Sequence, residues 1–123
     1  MKKLIVLAVL VLSGVAQAKT VQFSVVNYGS FITDVSAELV ATKNGQSKVL
    51  TQALSQRLLT NKKMTLKKSV EPDAEIIVRY KTVIAAGTSP AECNGTINFN
   101  KSTEVVVVMN GPHTKVHCQV KQK

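Results

Sequence analysis

The chain has 123 residues, with 16 Lys and Arg against 7 Asp and Glu, a net charge of +9, 45% hydrophobic residues and no Trp. That length and mixed composition, with no internal repeat or low-complexity segment, read as one domain with a modest core. Lys outnumbers Arg fourteen to two, which suits a solvated basic surface better than bidentate phosphate recognition.

The first eighteen residues read as a cleavable bacterial-type secretory signal. Lys2 and Lys3 precede the apolar run from Leu4 to Leu12, Ser13-Gly14 breaks it, and Ala16-Gln17-Ala18 supplies the small residues of a cleavage site. The run is too short to span a bilayer core of ~30 Å. Cleavage after Ala18 leaves residues 19–123 as a single domain of charge +7, secreted or periplasmic. Two cysteines, Cys93 and Cys118, then read as a disulfide in an oxidising compartment. Closing that loop stabilises a fold by roughly 3–4 kcal/mol on the chain-entropy account.

Along residues 19–123 the dominant period is two. Val21, Phe23 and Val25 alternate with polar residues as a strand, and Asn27-Tyr28-Gly29-Ser30 is turn chemistry. Of the two aromatics there, Tyr28 and Phe31, the expectation is burial at the core edge, with exposure as a partner anchor the alternative. Val35, Ala37, Leu39 and Ala41 form a second strand, and Asn44-Gly45 is a hairpin turn. In 49–59, Leu50, Ala53, Leu54 and Leu58 fall at helical spacing, and the segment reads as a short helix or irregular chain.

Met64 and Leu66 define a further strand, ended by Glu71-Pro72-Asp73. Ile76, Val78 and Tyr80 form another, and residues 85–92 make a loop beside Cys93. Cys93, Gly95, Ile97 and Phe99 share one strand face. Val105 to Met109 is β-branched almost throughout, as in a central strand covered on both faces. Asn110-Gly111-Pro112 turns the chain into Val116, Cys118 and Val120. The total is seven or eight short strands: an all-β, antiparallel sandwich, immunoglobulin-like in architecture only, with one disulfide.

No catalytic constellation is legible. There is no G-x-S-x-G or H-E-x-x-H, carboxylates are scattered, and the only histidines are His113 and His117. Neither an enzyme, a metal site nor a cofactor is expected. The one charge cluster is Lys62, Lys63, Lys67 and Lys68, with Arg57 upstream. As a strand, Lys63, Thr65 and Lys67 point one way and Lys62, Met64, Leu66 and Lys68 the other.

These lysines have two readings: a patch for an anionic partner (glycan, lipid head group or acidic protein), or guards that keep an edge strand from pairing with another chain. Aromatics for base stacking are scarce, so nucleic acid is a weak candidate. The expectation is a non-enzymatic binding module acting on anionic envelope or host-surface molecules. The alternative is an inhibitor of an exported hydrolase of lysozyme or protease type, plugging it with the loop 85–92.

Overall fold

A computed structural model describes residues 19–84, 92–100 and 102–123. Residues 1–18, expected to be a signal, and most of 85–92, the expected loop, lie outside the described residues. The described residues form eight strands and no helix: β1 (Lys19–Asn27), β2 (Thr33–Lys43), β3 (Gln46–Leu58), β4 (Lys62–Val70), β5 (Glu75–Ile84), β6 (Glu92–Asn98), β7 (Glu104–Asn110) and β8 (His117–Gln122). They pair as two four-stranded sheets, β4-β1-β7-β8 and β3-β2-β5-β6, stacked as a sandwich.

Alternation places one face of each strand in the core. Val21, Phe23 and Val25 of β1, Val105, Val107 and Met109 of β7, and Met64 and Leu66 of β4 come from the first sheet. Val35, Ala37 and Leu39 of β2 and Ile76 and Val78 of β5 come from the second. The sheets meet ring to ring where Phe23 packs on Tyr80, centroids 5.6 Å apart. Burial of Tyr80 pushes its phenol pKa up. Asn44 and Gly45 both take positive φ, 55° and 77°, which makes the β2–β3 link a tight two-residue hairpin.

Three expectations are corrected. The sandwich is not wholly antiparallel: β1 and β7 pair in parallel, from Gln22↔Glu104 to Asn27↔Met109. The segment 49–59 is neither helix nor irregular but most of strand β3. Its register against β2 slips between Leu39 and Val40 and again between Val35 and Ala37. Each slip adds a residue to β3, so Leu50, Ala53 and Leu58 still reach the interior although three and five residues apart. A bulged period of two imitates a helical face. The second bulge leaves Leu54 76% exposed and gives Ser55 a positive φ of 46°, its N–H donating to Ser36 Oγ at 3.0 Å.

The third correction concerns β7. It is central within its sheet, but Val106 and Val108 face outward and are half-buried rather than covered by another layer.

The Cys93–Cys118 disulfide is present, with Cα atoms 6.4 Å apart. It joins β6 to β8, the outermost strands of opposite sheets along one flank of the sandwich. The buried Thr82 hydroxyl fixes the Cys93 backbone, donating to its carbonyl and accepting from its N–H, both at 3.0 Å.

Candidate functional site

Strand directions sort the connections into two poles. Residues 28–32, 59–61 and 111–116 lie at one, the loop pole. The hairpin at Asn44-Gly45, residues 71–74, and Lys19 and Lys123 lie at the other.

The loop pole is built around Asn27, which is fully buried. Its amide Nδ2 donates to the carbonyls of Phe31 (2.7 Å) and Leu58 (3.2 Å), and its Oδ1 accepts from Gly29 N–H (2.9 Å). Thr60 Oγ1 donates to the Gly29 carbonyl at 3.0 Å, and Asn61 N–H to the Asn27 carbonyl at 2.6 Å. These bonds lock 28–32 onto 59–61. The third loop joins through Ser30 N–H, which donates to the Gly111 carbonyl at 3.0 Å.

Within this frame Phe31 turns inward and is buried. A Cβ on residue 29 would collide with the Phe31 ring, so only glycine fits there. With Phe31 inside, its neighbours face out: Tyr28 is 56% exposed, Ile32 39% and, across the pole, Leu59 47%. The aromatic pair is therefore split: the expectation of burial holds for Phe31 and fails for Tyr28.

Beside this apolar cap runs β4, an edge strand. Lys62, Lys63, Lys67 and Lys68 are all exposed, and Met64 and Leu66 are buried in the phase expected. Among the described residues none of the four lysines has an ion-pair partner. Ion pairs form elsewhere: Lys43 with Glu71 (2.6 Å) and Asp73 (3.4 Å), Arg57 with Asp34, Arg79 with Glu38, and Lys123 with Glu104. The hydrogen bond to Glu71, with the charges of Asp73 and Glu71, raises the Lys43 pKa above the usual range. Lys62 and Lys63 pair with Asn27 and Val26 at the loop pole, and Lys115 and His113 are exposed on its other side.

Arg57 does not join the lysines. It lies on β3 in the other sheet and faces Asp34 at 3.5 Å. The loop 85–92, the expected plug of an inhibitor, falls outside the described residues except for the backbone of Glu92. Among the described residues no three metal-ligating side chains cluster.

Sequence reading overlooked Ile32 and Leu59. A signal existed for Leu59: Leu58 and Leu59 are adjacent, and a strand sends adjacent side chains to opposite faces.

Against known proteins, no family model matches the sequence, and no curated protein matches it. The likeness is structural. A non-hemolytic pneumolysin from Streptococcus pneumoniae superposes with a TM-score of 0.59 at 9% identity, over 86% of this chain and 24% of that one. Listeriolysin O gives 0.57 at 9% identity, over 86% of this chain and 23% of that one. The membrane-binding domain of pneumolysin gives 0.54 at 9% identity, over 85% of this chain and 98% of that one. The chain thus spans about a quarter of the whole toxins and nearly all of that isolated domain. Identities this low establish a shared fold and nothing further.

Proposed function

We propose that this protein is a non-enzymatic module that docks on anionic lipid surfaces, loop pole first. The observation that carries the reading is that exposed Tyr28, Ile32 and Leu59 share the loop pole with Lys62 and Lys63, the lysines at that end of β4, which form no ion pair among the described residues. Half of the six large hydrophobics exposed among the described residues lie at this one pole, which random scatter does not require. An apolar tip rimmed by lysine suits the boundary between head groups and acyl chains, where aromatic rings settle and basic side chains meet lipid phosphates. Export, expected from the first eighteen residues, puts the module where such surfaces are met. The same fold occurs, at 9% identity, in a domain described as membrane-binding in pneumolysin.

The test is co-sedimentation of residues 19–123 with phosphatidylcholine vesicles, with and without phosphatidylglycerol. Binding is expected only with the anionic lipid, and it should weaken with salt. Each lysine near such a surface contributes ~1 kcal/mol. Lys62 and Lys63 stand at the loop pole, and Lys67 and Lys68 lie about 13–17 Å beyond Lys63 along β4, so changing all four to Gln should weaken binding by about 30-fold, most of it from the first two. Tyr28→Ser with Leu59→Ser should weaken it at low and high salt alike. An absence of binding to anionic vesicles at low salt would overturn the proposal. Full binding by the quadruple variant would show that the lysines only guard the edge of β4.

A further inference from the structure

A groove of about 410 Å³ crosses the outer face of the first sheet, away from the core, and meets the apolar cap at Tyr28. It follows β1. Gln22, Ser24 and Val26 point into it, Val106 and Glu104 of β7 line one side, and Lys63 of β4 with Asn61 the other. Tyr28 closes the end at the loop pole and Lys123 the opposite end. From Gln22 to Tyr28 the trough is about 20 Å long at ordinary strand rise. We infer that it is a carbohydrate-binding groove, selective for a short oligosaccharide bearing a carboxylate.

Three features select that chemistry. First, β1 is paired on both sides, with β4 and with β7. Its backbone donors and acceptors are committed, so a peptide cannot bind here by adding a strand, and recognition falls to side chains. Second, those side chains suit a sugar. Tyr28 offers an exposed aromatic face and Val106 a half-buried apolar patch for the C–H face of a pyranose. Gln22 and Asn61 are amides, which both donate and accept, as ring hydroxyls require.

The Asn61 side chain makes no hydrogen bond among the described residues, and Gln22 uses only Nε2, on Glu104 at 3.4 Å. Ser24 is already satisfied by Thr65 at 3.1 Å and forms a polar floor that an acyl chain would not favour. Third, the charges are unequal. Glu104 faces Lys123 at 3.5 Å, whereas Lys63 has no carboxylate partner among the described residues. Lys67 projects on the same face of β4. One unmatched cation at the wall suits one acid group on the ligand.

The probes are a soluble hyaluronate tetrasaccharide and neutral chitotetraose, titrated into ¹⁵N-labelled residues 19–123. Hyaluronate is expected to shift the amides of residues 22–28, 61–63 and 104–106, with chitotetraose several-fold weaker. Val106→Phe, which fills the trough from a half-exposed position, and Tyr28→Ala should each weaken hyaluronate binding about tenfold, a loss of ~1.4 kcal/mol. Lys63→Gln should abolish the preference for the acidic sugar, and Lys68→Gln should leave it intact.

Shifts confined to residues 62–68 and unaffected by Val106→Phe would reduce the interaction to diffuse attraction by the lysines and overturn the groove. No shift with either sugar would overturn it as well. Vesicle binding by Val106→Phe keeps the two proposals separable: it should be unchanged, because the cap and β4 are untouched.

Discussion

Asn27→Ala is expected to destabilise the protein by about 3 kcal/mol. The side chain is fully buried and makes three hydrogen bonds to main-chain groups, two on the loop 28–32 and one at the end of β3. Alanine deprives Gly29 N–H and the Leu58 carbonyl of that partner, while the Phe31 carbonyl keeps Thr60 Oγ1 at 3.3 Å. An unsatisfied buried group costs about 1–3 kcal/mol, and two of them give the stated figure. In a domain of this size that is a fall of roughly 15 °C in Tm.

The effect is also local. The same bonds hold 28–32 against the end of β3, next to Leu59, so Asn27→Ala should loosen the cap that carries Tyr28, Ile32 and Leu59. Urea unfolding gives the first quantity, and vesicle binding at a temperature where the variant is folded gives the second. Asn98→Ala serves as the control. Its amide donates at 2.7 Å to Glu75 and its Oδ1 accepts from Asn100 N–H at 2.7 Å, both exposed to solvent, and losing two exposed bonds of that kind shifts stability by about 1 kcal/mol or less. If Asn27→Ala and Asn98→Ala behaved alike, the keystone role of Asn27 would be refuted.

Removal of the disulfide by Cys93→Ala with Cys118→Ala is expected to reduce stability by about 3.5 kcal/mol. The cysteines are 25 residues apart, and the entropy of closing such a loop in the unfolded chain sets that magnitude. The position of the bridge adds a spatial signature. It ties the outer strands of the two sheets together on one flank, whereas the other flank has β3 and β4 joined directly by residues 59–61. The double variant should open from the β6–β8 side, with amide exchange rising first in those two strands and last in β1 and β2. Uniform acceleration across both sheets would contradict this account, and an unchanged unfolding midpoint would show that the bridge is energetically idle.

The sequence by itself determined most strands, the hairpin at Asn44-Gly45, the pairing of Cys93 with Cys118 and the alternation that buries Met64 and Leu66 beneath exposed lysines. These follow from local chemistry: a period of two, a turn that tolerates positive φ, and two thiols in one small domain. Three matters lay beyond it. A bulge is a relation between two strands, so Leu50 and Leu58 carried a false helical rhythm until β2 supplied the register. The parallel pairing of β1 with β7 joins segments about eighty residues apart, and nothing local encodes strand direction. The fate of Tyr28 hung on its neighbour: Phe31 takes the interior place because Gly29 leaves room for its ring, and Tyr28 is left in solvent. Only tertiary packing brings that ring beside Leu59 and the lysines of β4, because each belongs to a loop or strand whose partners are distant in the chain.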